Sequence, residues 1–161
     1  MNLTEAPQPS AALSFCAPEA RRGVLIAAIL ASSLGFIDGT VVSIALPAMR
    51  ASLEASLTQS LWFSNAYMLF LSALILAGGA LGDRFGLAKV FSLGIGSFII
   101  ASVACALAPT PEFMIIARAL KGVGAALMVP GSLALISRAY PKSERGRAIG
   151  IWAAASALTT A

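Results

Sequence analysis

Residues 24–47 read VLIAAILASSLGFIDGTVVSIALP, a run in which Asp38 is the only charged residue. A membrane-spanning helix needs about 20 mostly apolar residues, so this stretch is long enough to cross a bilayer. The whole composition agrees, because 58% of the 161 residues are hydrophobic and only 11% are charged. Soluble domains average about a quarter charged residues. The sequence therefore predicts an all-α, polytopic membrane protein.

Four further apolar stretches follow the first one. The predicted helices lie at about residues 24–47, 61–81, 90–108, 113–136 and 148–161. The last stretch rises only about 21 Å before Ala161, short of the roughly 30 Å hydrocarbon core. We expect an incomplete N-terminal bundle over residues 23–161, with four full transmembrane helices and a truncated fifth. Residues 1–22 are rich in Pro, Ser, Ala and Glu, which predicts a cytoplasmic disordered tail.

The basic residues outside the predicted helices are unevenly divided between the two sides of the membrane. With the N-terminus inside, the outer segments contain only Arg50. The inner segments contain eight basic residues: Arg21, Arg22, Arg84, Lys89, Arg138, Lys142, Arg145 and Arg147. Cytoplasmic loops carry an excess of Lys and Arg. This bias predicts a multi-pass protein of the inner or plasma membrane with a cytoplasmic N-terminus.

Three charged residues lie inside the predicted spans, namely Asp38, Arg118 and Lys121. A charge at the centre of a spanning helix costs about 2.5–3.5 kcal/mol on insertion scales, and such residues usually mark an ion or substrate path. At 1.5 Å per residue, Asp38 and Arg118 are both about 21 Å from the cytoplasmic side. We expect them to approach each other or share a polar cavity. Lys121 should lie one turn deeper on a similar face, because residues i and i+3 are neighbours on a helix.

These three residues have a functional and a structural interpretation. Burial and a neighbouring cation act in opposite directions on the protonation of a carboxylate. Asp38 could therefore exchange a proton when its cationic partner moves or a substrate arrives, which would make the site a proton or substrate relay. The alternative is a static ion pair that only fixes helix packing.

The segment at residues 79–89, GALGDRFGLAK, follows the second predicted span. It resembles the G-x-L-a-D-r-x-G-r-k signature of the major facilitator superfamily, which lies in a cytoplasmic loop. The match is good through Gly86, after which Leu87 and Ala88 replace the usual basic residues. The signature positions are Gly79, Gly82, Asp83, Arg84, Gly86 and Lys89.

Three other segments resemble the same family. Residues 38–47, DGTVVSIALP, are similar to the first-helix motif of its fourteen-helix drug:proton antiporter branch. Residues 118–126, RALKGVGAA, resemble the fourth-helix motif R-x-x-q-G-x-g-a-a, with Lys121 in place of the usual Gln. Residues 141–148, PKSERGRA, are similar to the loop before the fifth helix. Small residues, including Gly122 and Gly124, allow close helix packing.

The resemblance implies an alternating-access transporter whose two six-helix halves rock about a central site. By carry-over, Asp83 and Arg84 would form a cytoplasmic gate, as an acid–base pair on a tight glycine turn. Arg118 would take part in proton coupling, with no cofactor beyond the proton gradient. The implied partners are the lipid bilayer, a small-molecule substrate and the C-terminal half of the same transporter.

We consider three functions. The first is proton-coupled efflux of small amphiphilic or drug-like molecules, with this chain as the N-terminal portion of the exporter. The second is a truncated, non-transporting membrane subunit or scaffold. An integral membrane enzyme is third, because the sequence contains no histidine and no metal cluster or nucleophile–base spacing stands out. No basic run with interleaved aromatic residues suggests nucleic-acid binding.

Overall fold

The computed structural model describes residues 18–159. Over this range the chain forms five helices: α1 (Pro18–Ser52), α2 (Leu57–Phe85), α3 (Leu87–Ala106), α4 (Pro111–Ala139) and α5 (Lys142–Leu158). By length and composition, α1 to α4 could each cross a membrane. The predicted all-α fold class is therefore confirmed.

The helices extend beyond the apolar stretches that predicted them. Residues Pro18–Arg22, placed in the disordered tail, form the first turns of α1; residues 1–17 lie outside the described range. The fifth helix begins at Lys142 rather than near residue 148. Hydropathy detects only the apolar part of a helix, whereas the backbone hydrogen bonds continue into polar end turns.

Short, well-defined connections hold the helices in sequence. Gly86, with φ of 101°, is the only residue between α2 and α3. Glycine adopts this positive φ without steric cost, which permits an abrupt reversal of the chain. Ser56 and Gln59 form a reciprocal capping box at the start of α2. The Gln59 amide also donates a 2.6 Å hydrogen bond to Glu112, which joins the first turns of α2 and α4.

Helix α4 is the centre of the bundle and packs against α1, α2, α3 and α5. Glycines allow its backbone to approach its neighbours. A Cβ placed on Gly122 would lie 2.5 Å from the Tyr67 carbonyl oxygen in α2, and one on Gly124 would lie 2.7 Å from the Ser97 hydroxyl in α3. The predicted packing role of Gly122 and Gly124 is therefore supported by their contacts.

Gly96 and Gly79, two other glycines inside the helices, make no such close approach. A Cβ on Gly96 would meet no atom within 4 Å, and one on Gly79 would lie 3.8 Å from Pro130 Cβ, an ordinary contact. The neighbouring Gly78 is the closely packed residue, because its Cβ would collide with the Ala126 carbonyl oxygen of α4. Successive residues on a helix lie about 100° apart, so two adjacent glycines face α4 at different angles and need not approach it equally closely.

The outer faces of the bundle are apolar and exposed. Leu76 is 85% exposed, Ile44 76% and Ile100 73%. A soluble protein rarely exposes large contiguous apolar patches, whereas lipid tails are as apolar as leucine. The exposed side chains are suited to contact with the bilayer.

Candidate functional site

The three charged residues inside the spans meet in one buried cluster. Arg118 Nη1 of α4 donates a 2.6 Å hydrogen bond to Asp38 Oδ2 of α1. Lys121 Nζ donates to the other carboxylate oxygen, Asp38 Oδ1. All three residues are at most 9% exposed. The predicted approach of Asp38 to Arg118, and the shared face of Lys121, are both confirmed. We call Asp38, Arg118 and Lys121 the charged triad.

Residues of α2 and α3 contact the two cations of the charged triad. Arg118 Nε donates a 2.6 Å hydrogen bond to the Phe63 carbonyl oxygen of α2. The Arg118 guanidinium carbon lies 4.7 Å from the centroid of the Tyr67 ring, and Lys121 Nζ lies 4.8 Å from that of Phe98. Cation–π contacts stabilise a cation where water is scarce. Four helices thus fix the geometry of the triad.

A cavity of about 350 Å³ adjoins the charged triad. It lies between the ends of α1 and α3 and the start of α4, and all three triad residues line it. The remaining lining residues are mostly apolar: Val41, Val42, Met49, Ser52, Leu53, Cys105, Ala106, Ala108 and Met114. Ligand pockets are typically about 300–1,000 Å³, apolar, with a few placed polar groups. The cavity has these properties.

The glycine signature lies at the opposite end of the bundle. There, Asp83 accepts a 2.7 Å hydrogen bond from Arg138 Nη2, in the last turn of α4. Arg84 instead lies over the Phe85 ring, with 5.5 Å between the guanidinium carbon and the ring centroid. The two signature residues predicted to form the gate, Asp83 and Arg84, therefore contact different groups within this bundle, and their gating role remains a prediction. Adjacent residues on a helix point to different sides, so Asp83 reaches across to α4 while Arg84 does not.

Most of the basic residues lie at the same end of the bundle as the glycine signature, where the helix ends contact one another. The Tyr140 hydroxyl, just after α4, donates to the Arg21 carbonyl oxygen near the start of α1. Arg21 Nη1 also lies 3.8 Å from a carboxylate oxygen of Glu144, in the first turn of α5. The ends of α2 and α4 and the starts of α1 and α5 therefore form one basic end of the bundle.

Some residues that support these sites were not predicted. Arg138 was counted only as a loop charge, because the predicted spans ended at about residues 81 and 136 and left both Asp83 and Arg138 outside the helices. The Phe63 carbonyl leaves no sequence signal, because any residue has one. A hydrogen bond between two helices was also missed: Trp152 Nε1 of α5 donates a 3.0 Å hydrogen bond to the Ser32 hydroxyl of α1. Within residues 18–159, no group of acidic or cysteine side chains is placed to hold a metal ion.

The sequence matches one protein family and several named relatives. The family model described as Major Facilitator Superfamily matches residues 24–161. The chain is 41% identical over 137 residues to the Methylenomycin A resistance protein of Streptomyces coelicolor, covering 82% of this chain and 29% of that protein. It is 40% identical over 157 residues to the Puromycin resistance protein pur8 of Streptomyces alboniger, covering 96% and 31%. The chain thus spans about 30% of the length of these relatives.

A solved structure agrees with the fold. A bacterial homologue of the human lysosomal transporter Spinster, in an inward-facing and occupied conformation, superposes with a TM-score of 0.79 at 25% identity. The match covers 89% of this chain and 31% of that chain. The arrangement of the five helices is therefore one that occurs in a known transporter.

Proposed function

The chain belongs to the major facilitator superfamily, and on that premise we propose that it forms the N-terminal helices of a proton-coupled exporter of small amphiphilic molecules. The observation that supports this most is the charged triad beside an apolar cavity. Charges are expensive in a membrane and usually mark a transport path. We further propose that the basic end of the bundle, with the N-terminus, is cytoplasmic, because Lys and Arg are enriched there.

Asp38 is the proposed proton carrier and Arg118 its partner. Asp38 accepts hydrogen bonds from two cations on α4, so any movement of α4 relative to α1 changes what stabilises its charge. A group whose charged form depends on a movable partner can take up and release a proton as the helices rearrange. The resulting cycle would exchange a proton for the substrate, without a cofactor and without an enzymatic reaction.

The proposed partner of this bundle is a C-terminal half of the same transporter, which would complete the central site. Chimeras test this directly. Residues 24–161 of this chain would replace the corresponding segment of the Methylenomycin A resistance protein. We expect the chimera to raise the concentration of methylenomycin A that stops growth of a sensitive bacterium, and a protonophore to abolish export from vesicles. Growth inhibition equal to that of the empty vector, with the chimera present in the membrane, would contradict the proposal.

The Asp83–Arg138 pair is the proposed gate. The Asp83 side chain is 71% exposed and that of Arg138 50%. Exposed pairs contribute roughly 0–1 kcal/mol, so the pair can be broken and remade during a transport cycle. Asp83→Asn should change the free energy of unfolding by less than about 1 kcal/mol but lower the resistance given by the chimera severalfold.

Glu54→Gln, an exposed acid-to-amide change at the other end of the bundle, is the matched control for the gate and should leave resistance unchanged. If the Asp83→Asn chimera gives full resistance, the pair only holds the loop in place. The second candidate function, a non-transporting subunit or scaffold, would be favoured if the parent chimera itself failed to export.

A further inference from the structure

The charged triad contains more positive than negative charge. Asp38 provides one carboxylate, whereas Arg118 and Lys121 provide two cations, so the cluster has a net charge of +1. Among residues 18–159 these two contacts are the ion pairs that Arg118 and Lys121 make. A buried charge is costly unless a partner neutralises it. The surplus arises at Lys121, where the related motif has a neutral Gln.

Lys121 also has hydrogen-bonding capacity to spare. An ammonium group has three donor hydrogens, and within the described part of the chain the Asp38 carboxylate is the one acceptor that Lys121 Nζ reaches. The Phe98 ring covers one side of the ammonium. Lys121 lines the cavity, whose other walls are largely apolar. The open donors and the surplus charge are therefore available to a molecule in the cavity.

We infer that the cavity beside the charged triad binds amphiphilic anions, with the carboxylate or similar negative group on Lys121 and the apolar body against the walls formed by α1 and α3. An anion there neutralises the surplus charge and takes up the open donor hydrogens in one step. The cavity volume of about 350 Å³ suits a small molecule rather than a peptide. This inference rests on the proposed export function, since it names the class of molecule carried by the same site.

The Cys105 thiol can report which reagents enter the cavity, because this residue is half-buried in the cavity wall. The chain has two cysteines, so Cys16→Ser leaves Cys105 as the single thiol. The full chain in lipid nanodiscs would be treated with two methanethiosulfonate reagents of similar size, one carrying a sulfonate and the other a trimethylammonium group. We measure the rate of the sulfonate reagent divided by the rate of the ammonium reagent. We expect this ratio to be higher at Cys105 than with 2-mercaptoethanol, a free thiol in solution.

Replacing Lys121 by Gln should lower the sulfonate-to-ammonium rate ratio roughly tenfold, because one charge at cavity distance attracts the anion and repels the cation. The ratio cancels any change in exposure or acidity of the thiol itself. Lys142→Gln, the same substitution at an exposed position on the opposite end, should leave the ratio unchanged. Equal ratios for the parent chain and Lys121→Gln would overturn the inference.

A second measurement needs no substitution at the triad. Benzoate should slow the reaction of Cys105 with the neutral reagent methyl methanethiosulfonate, and benzamide at the same concentration should not. Equal protection by both compounds, or by neither, would contradict anion binding. Neither measurement requires transport, so their failure would leave the chimera result standing, and failure of the chimera would leave the binding result standing.

Discussion

Asp38→Asn should lower the free energy of unfolding of the chain by about 3 kcal/mol or more, because removing one partner of a buried ion pair typically costs about 3–5 kcal/mol. The substitution keeps the size of the side chain but removes the negative charge that Arg118 and Lys121 share. Two buried cations would then face each other with no counter-charge. Unfolding in mixed detergent micelles, followed by far-ultraviolet circular dichroism, measures the difference.

Two variants show whether the loss of stability in Asp38→Asn comes from removing the negative charge. Asp83→Asn is the same substitution at an exposed pair and should cost less than about 1 kcal/mol. The double variant Asp38→Asn/Lys121→Gln returns the cluster to its original net charge and should recover part of the lost stability. If Asp38→Asn unfolds like the parent chain, the triad is not a tightly coupled buried cluster.

Gly78→Ala should be among the most destabilising changes of a single methyl group in the bundle. The new Cβ would collide with the Ala126 carbonyl oxygen and lie 2.8 Å from its carbonyl carbon. Both atoms belong to the backbone of α4, which cannot rotate aside as a side chain can. Helices α2 and α4 would have to separate, and overpacking of this kind costs about 1–3 kcal/mol, occasionally more.

The adjacent Gly79→Ala provides the matched control. Its Cβ would meet Pro130 Cβ at 3.8 Å, an ordinary contact, and alanine is favoured over glycine in a helix by up to about 1 kcal/mol. We therefore expect Gly79→Ala to be neutral or stabilising while Gly78→Ala is destabilising, in the same unfolding assay. Similar effects at both positions would show that α2 and α4 do not approach as closely as described.

The charged triad could be predicted from the sequence because helix geometry is regular. A fixed rise per residue placed Asp38 and Arg118 at one depth, and the high cost of a charge in lipid implied that they would meet. The spacing of Arg118 and Lys121 placed both on one face of α4. Depth along a helix and position on its face both follow from residue spacing within one helix, so the amino-acid sequence is sufficient to predict them.

The parts that could not be predicted depend on how the helices rotate against one another. The sequence shows Gly78 and Gly79 as equivalents, and only the packing of α2 on α4 distinguishes them. The same holds for Asp83, whose partner is Arg138 rather than a residue of its own turn. The Phe63 carbonyl that holds Arg118 is a backbone group, and no residue type signals it.

In the proposed transport cycle, Asp38 couples proton movement to export. The most direct measurement is methylenomycin A resistance from the chimera with Asp38→Asn, compared with the parent chimera and with Asp38→Glu, at equal amounts of folded protein in the membrane. We predict that Asp38→Asn falls to the level of the empty vector, while Asp38→Glu, which retains a carboxylate, keeps measurable resistance that a protonophore abolishes. Resistance from the Asp38→Asn chimera equal to that of the parent, with an unchanged response to pH, would contradict the account.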